Sequence, residues 1–299
     1  MYKLVFFHLT CDGSRTPKFI LLPSDYPAAF NLIAVCAAYC KVRVVAFSIE
    51  DTHLHLLLEG RYEDCEAFKI MFERSYLRHV SKTRGTIKEA KIDLEIIPID
   101  DEDHLLDIGT YVLAQPTKDG KPVLPHDYRW GTASMYFRSQ PHISIWRYDE
   151  KGNLHDPVRA DSLSYSVVRT IACSKRRIPG NWLICNGLIL PENYLDVALF
   201  ERIYRTHNRY RVFMASSKQK DMEIKRREAD YLGVTLDDTE AKKYCSQVCL
   251  NLFNEEIVTN LDAGQRIQLA QTLRTRYKLS FRQLAKLAEL PLSEIRKYV

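Results

Sequence analysis

The sequence predicts an α+β fold, a ferredoxin-like antiparallel sheet with packed helices, followed by an all-helical C-terminal region. Three observations predict it. Short β-branched or alternating segments and amphipathic segments follow one another as β-α-β-β-α-β-α up to Gln115. Helices interposed between strands in that order suit a two-layer sandwich, with helices packed on an antiparallel sheet. After about Pro191 only helical periodicity remains.

Residues 2–9 read as a strand rich in Phe and Val, residues 11–18 as a polar loop and residues 19–22 as an apolar patch. Ser24 or Asp25 suits the cap of a helix whose stripe runs through Ala28, Phe30, Ile33, Ala34, Ala37 and Ala38. Strands over 42–49 and 52–59 meet in a tight turn at Glu50 and Asp51. On the second of them Leu54, Leu56 and Leu58 line one face, and His53, His55 and Leu57 the other. Residues 63–82 form a helix with Phe68, Met71, Phe72, Leu77 and Val80 inward, and Arg74, Arg78 and Lys82 in one basic outer stripe. A strand over 92–97 closes at Pro98. A helix over 100–115 takes Asp100 or Asp101 as cap and Glu102 and Asp103 at its positive end, and stops at Pro116.

Residues 141–190 read as a connector holding an ambiguous stretch at 143–147 and a basic Lys175-Arg176-Arg177. Helical patterns then cover 194–211, 217–231, 238–253, 261–277 and 280–299, with no internal repeat. The expected division is therefore 1–140, the connector, and a helical region over 191–299.

The chain has 299 residues, 46% hydrophobic and 27% charged, enough for a substantial core and room for two domains. Eleven Gly and 12 Pro without a low-complexity tract exclude a fibrous or wholly disordered chain. No run of about 18 uncharged apolar residues occurs, so no membrane-spanning helix is expected. Residues 2–9 carry Lys3 and His8 and lack a cleavage-type tail, so no signal peptide is expected either. Eight cysteines without a Cys-x-x-Cys fit intracellular thiols better than disulfides or a zinc site. Residues 1–150 hold 18 Lys+Arg against 21 Asp+Glu, a balance of −3, and residues 151–299 hold 25 against 17, a balance of +8. The basic half suits a polyanionic partner, with a solvated charged face as the plain alternative.

His53 and His55, two apart on a strand, project from one face about 7 Å apart, near enough for both nitrogens to reach one metal ion. A bystander pair on an amphipathic strand is the competing explanation. Tyr111 and Gln115, four apart on a helix, share a face that Ile108 and His104 continue. Gln115 offers a carbonyl oxygen as a possible ligand and Tyr111 a phenol. A half-buried aromatic and a polar helix end would explain the same pair.

Thr52-His53-Leu54-His55-Leu56-Leu57-Leu58, then Tyr111-x-x-x-Gln115-Pro116, then Asp127-Tyr128-Arg129-Trp130 resemble, in order and spacing, the HUH single-strand transposases. Within these the sequence is most similar to the REP-associated tyrosine transposases. Phe68, Tyr76, Arg78, Lys82 and Gly85 fall where that group places its helix and turn. The resemblance spans about residues 1–140 and recurs loosely around 187–213.

The resemblance implies a metal-dependent cut of single-stranded DNA beside a small hairpin. His53 and His55 would hold a divalent ion, Mg²⁺ or Mn²⁺, with Gln115 as third ligand. Tyr111 would attack the phosphate, form a 5′-phosphotyrosine link and release a 3′-hydroxyl. A second 3′-hydroxyl would reverse the step and join strands. It also implies a cytoplasmic, nucleoid-associated protein without a membrane partner, a monomer in preference to a homodimer. The chain departs from the family at Thr52, where Asn is usual, and at Gln115-Pro116-Thr117-Lys118-Asp119-Gly120, where Asn-Pro-x-Arg-Ala-Gly is common. It also has Thr86-Ile87-Lys88-Glu89 where an aromatic and Gln-rich segment is usual. A domesticated relative that binds a DNA or RNA hairpin without cutting it is the alternative, and a different metal hydrolase on the same sheet is a further one.

Expected nucleic-acid contacts are Arg74, Arg78 and Lys82, with Tyr76 nearby; Tyr128 and Arg129, with Trp130; and Arg202, Arg205 and Arg209, near Tyr204 and Tyr210. Solvated helix faces and core packing are the alternatives. Ser280-Phe281-Arg282-Gln283 starts a capped helix, Glu289-Leu290-Pro291 breaks it, and Ser293 caps a last short one. This resembles a helix-turn-helix with Arg282 toward DNA, and a plain helical hairpin is the other reading.

Overall fold

The computed structural model describes residues 5–11, 20–84, 92, 94–118, 120–138, 143–232, 238–255, 257–277 and 279–299. In chain order, β1 (Val5–Cys11), α1 (Asp25–Tyr39), β2 (Arg43–Ile49), β3 (Leu54–Gly60), α2 (Tyr62–Arg84) and β4 (Leu94–Pro98) build an antiparallel sheet ordered β2-β3-β1-β4. This is the ferredoxin-like arrangement that the element order predicts.

Register decides what each face carries. Leu56 pairs with Leu9 and Phe47, whereas His55 pairs with Thr10 and Ser48. Phe30 of α1 packs on Phe47 with ring centroids 5.4 Å apart, so the Leu54/Leu56/Leu58 face belongs to the α1 and α2 side. The other face is covered by α3 (Glu102–Leu113), which packs on β2 and β3. Both faces are buried, and β3 therefore reads as a nearly unbroken apolar run.

Asp101 caps α3 by accepting from the His104 N–H at 2.6 Å, as expected. Pro116 does not end that helix. The break falls at Ala114, and Pro116 occupies the second position of α4 (Gln115–Lys118), where a missing N–H costs nothing. At α1, Ser24 makes no side-chain cap. The buried Asp25 instead accepts from the Leu21 and Leu22 N–H groups and faces His79 at 3.2 Å.

The chain divides into two units, Met1–Asp221 and Met222–Val299. In the first unit, the segment expected as a connector carries β5 (Val158–Arg159), α5 (Tyr165–Ile171), β6 (Leu183–Cys185) and β7 (Leu188–Ile189). The three strands form a small sheet, and with α5 they bury Ala160, Val168, Ile184 and Ile189 against Ala34 and Val35 of α1. The buried Asn31 of α1 fixes this layer. Its amide donates to the Ile171 and Gly187 carbonyls and accepts from the Ile189 N–H.

The expected helix over 194–211 is two helices, α6 (Val197–Tyr204) and α7 (His207–Ser216). Arg205, at φ 64°, turns the chain between them, and Thr206 recaps it by accepting from the Arg209 N–H. Then follow α8 (Asp221–Leu232), α9 (Asp238–Phe253), α10 (Ala263–Tyr277), α11 (Phe281–Leu287) and α12 (Leu292–Tyr298). The second unit is all-helical and its core includes Ala241, Val248, Leu269, Leu273, Leu284 and Ile295. The capping box at Ser280 and Gln283 is present as expected, but α12 begins behind Pro291 rather than after Ser293. Among the described residues no helix is long and apolar enough to cross a membrane.

Gly109 lets α3 approach α6 closely. A Cβ there would lie 2.5 Å from the Tyr204 hydroxyl, which is buried and donates to the Leu106 carbonyl. Gly109→Ala should therefore destabilise the protein by about 1–3 kcal/mol. Adding Tyr204→Phe should cost less than the two changes summed, because it vacates the same space, as urea unfolding of the four variants in the cycle will show.

Candidate active site

His53 stands at the mouth of the β2–β3 turn, where its carbonyl accepts from the Glu50 N–H at 2.8 Å. His55 lies two residues on, in β3, and the two rings are 4.9 Å apart at 80°. Tyr111, late in α3, sets its ring edge-on to His55 at 5.3 Å. Gln115, at the start of α4, donates its amide N–H to the Tyr111 carbonyl at 2.9 Å, and this turns its oxygen toward His53 Nε2 at 3.4 Å. All four side chains singled out in the sequence thus come together. Tyr111, Gln115 and His55 are each 5% exposed or less, and His53 is the partly exposed member.

Other residues surround this group. His8 of β1, fully buried, has its Nε2 2.9 Å from His55 Nδ1, and the Thr10 hydroxyl lies 3.0 Å from the same nitrogen. Thr52 contacts His53 Nδ1 at 2.8 Å. Lys118 places its ammonium 3.7 Å from the centre of the Tyr111 ring and pairs with Asp221 at 3.1 Å. The His8 role is readable only once Thr10 is known to lie opposite His55, which is a matter of strand register.

With each Nδ1 at hydrogen-bond distance from a neighbour and the Gln115 NH₂ on a carbonyl, the two imidazole Nε2 atoms and the amide oxygen are the atoms that could hold a metal ion. Two nitrogens and an oxygen, each oriented by a second contact, fit a divalent cation. Among the described residues no three His, Cys, Asp or Glu side chains gather as a metal site. The third imidazole, His8, turns to the far nitrogen of His55 instead.

A polar network borders the group. Glu50, fully buried, accepts from Ser48 Oγ at 2.7 Å and Tyr128 Oη at 3.2 Å, and lies 3.6 Å from the Lys121 ammonium. Lys121 also pairs with Asp51 at 3.0 Å, and Tyr26 donates to Asp51. Burial, followed by the hydrogen bond to Asp51, pushes the Tyr26 phenol up to about 12. Burial alone would lower Lys121, but Asp51, Tyr26 and Glu50 outweigh it and hold the ammonium above its ordinary range. Beside Asp51 opens a cleft of about 680 Å³, lined by Leu21, Leu22, Tyr26, Arg129 and Trp130 among others.

The expected nucleic-acid contacts differ in how they pack. Tyr128 is buried and donates to the Ile49 carbonyl at 2.6 Å as well as to Glu50. Burial, then the Glu50 charge, drives its phenol far above the ordinary range, so it is a core donor rather than a stacking surface. Trp130 stacks on Tyr26 at 5.0 Å, and Arg129 donates to the Ile145 and Tyr148 carbonyls. Tyr76 packs inside on Phe72, and Tyr204 and Tyr210 are also core. Arg205 and Arg209 pair with Glu102 at 3.3 and 3.5 Å. Arg74, Arg78, Lys82 and Arg202 are exposed, and Arg282 of the second unit is partly so. The turn at Gly85 and residues 86–89 lie outside the described residues.

No family model matches the chain, and no curated protein matches it. Among solved structures it is similar to that of the REP-associated tyrosine transposase bound to a REP hairpin. The two share 15% identity at a TM-score of 0.32, over 44% of this chain and 76% of that one.

Tyr128→Phe removes a donor from Glu50 and the Ile49 carbonyl. It should lower stability by about 1–3 kcal/mol in urea unfolding.

Proposed function

We propose that the chain is a metal-dependent enzyme that nicks and joins single-stranded DNA beside a hairpin, working through Tyr111. The observation that carries this reading is the convergence of His53, His55, Gln115 and Tyr111 on one side of β3. Two imidazoles and an amide oxygen beside a phenol answer the needs of phosphodiester transfer: an electrophilic activator and a nucleophile.

His53 Nε2, His55 Nε2 and Gln115 Oε1 would hold the ion, Mg²⁺ or Mn²⁺. When bound it supplies charge to polarise the phosphate oxygens. For His55 to ligate through Nε2, its Nδ1 must carry the proton and donate to His8 or Thr10, and both lie at hydrogen-bond distance from that nitrogen. The Lys118 ammonium beside the Tyr111 ring favours negative charge on the attacking oxygen. That oxygen gives up its proton to solvent, which returns one to the leaving group, and bonds to phosphorus. The P–O3′ bond breaks, and the leaving oxygen takes a proton to become the 3′-hydroxyl. The product is a 5′-phosphotyrosine, and another 3′-hydroxyl can reverse the exchange. The strand would enter from the His53 side, the partly exposed edge of the group.

The burial of Tyr111, 4% exposed, favours a second reading, a protein that binds a DNA or RNA hairpin without cutting it. One experiment separates the two. Labelled single-stranded DNA bearing a hairpin is incubated with Mn²⁺ and resolved on a denaturing gel. The nicking reading expects a covalent adduct with the wild type and none with Tyr111→Phe or His55→Ala, whereas binding without any adduct establishes the second reading.

A further expectation concerns His8. His8→Leu should weaken Mn²⁺ binding by about 10- to 100-fold, as loss of an orienting partner does, measured by the free-ion electron paramagnetic resonance signal. Unchanged affinity would show that His8 only fills space.

A further inference from the structure

A second charged surface lies away from these four side chains. On α2, Arg74, Arg78 and Lys82 stand one turn apart, about 6 Å along the axis, and all are exposed. The segment after α5 adds Lys175, Arg176 and Arg177, likewise exposed. The two sets adjoin. Lys82 acts electrostatically on the Cys173 thiol, just past α5, and Arg176 acts on Cys36 and Cys40 of α1. The Tyr39 hydroxyl, at the end of α1, donates to the Arg177 carbonyl at 2.6 Å.

Among the described residues none of these six cations has an ion pair. The nearby acids are turned elsewhere: Asp25 to His79, Asp64 to Arg61 and Asp161 to Arg159. Two guanidinium groups are ordered on aromatic rings, Arg176 at 4.7 Å from the Tyr39 centroid and Arg177 at 5.3 Å from that of Tyr165. Those rings are 44% and 48% exposed. An ordinary solvated face intersperses both signs. Six like charges without counter-charge repel one another, and a polyanion relieves that repulsion.

We propose that this face binds the sugar–phosphate backbone of a double-helical nucleic acid segment, with Lys175, Arg176 and Arg177 and the α2 stripe on phosphates and Tyr39 and Tyr165 against sugars. The proposal deepens the nicking reading only by taking nucleic acid as partner. It involves none of the four clustered side chains, which lie on the α3 side of the sheet. Guanidinium groups stacked on rings and cations at one-turn spacing suit a regular array of phosphates better than a single small anion.

The test uses the full chain and a labelled DNA hairpin with a stem of about one helical turn, in EDTA so that no cutting intervenes. The slope of log K against log salt should be flatter than wild type by about 2–3 in Lys175→Gln/Arg176→Gln/Arg177→Gln, and by about 2 in Arg78→Gln/Lys82→Gln. The α2 pair sits at exposed helical positions, so it keeps the test valid if the triple variant folds poorly. Wild-type slopes in a folded variant of both sets, or tighter binding to anionic phospholipid vesicles than to the hairpin, would overturn the proposal. The Tyr111 adduct is scored separately with Mn²⁺. Reduced slopes without any wild-type adduct would remove the nicking reading and leave this one standing.

Discussion

The antiparallel register of β1 against β3 is the constraint on which the rest depends. Thr10 opposite His55 places His8, Thr10 and His55 on one face, and Leu9 and Leu56 on the other. A slip of one residue would put imidazoles into the layer under α1 and leucines beneath Tyr111. Burial of both faces makes such a slip costly. The wholly apolar set at Leu54, Leu56 and Leu58 therefore fixes the position of the polar one.

α3 completes the arrangement from outside the sheet. Asp101 sets its start, Gly109 lets it approach α6, and its end at Ala114 allows Gln115 to fold back on the Tyr111 carbonyl. Side chains from a strand, a turn and two successive helices thus reach one point, and those contacts between chain segments far apart in sequence give it rigidity.

Much of this was legible in the sequence. Period-two alternation placed the imidazoles on one side of a strand, and the spacing of four placed Tyr111 and Gln115 together. What was illegible depended on partners distant in the chain. His8 gives no local sign of a role, because only the strand register brings it to His55. Tyr128 carries no local sign of burial, because its partners at Ile49 and Glu50 come from another segment. Pro116 read as a stop because proline ends helices more often than it opens short ones, and Arg205 gave no local hint of a positive φ.

The side chain of Asn31 bears on how far the first unit can be trimmed. It joins α1 to the backbone at Ile171, Gly187 and Ile189, over a layer that covers Ala34 and Val35. A fragment stopping near residue 140 would keep every clustered side chain yet uncover an apolar strip on the helix that supports the sheet, with a polar amide stranded in the middle of it. Sheet and outer layer are therefore one inheritable block: a shortened descendant could not shed this flank without first replacing that amide.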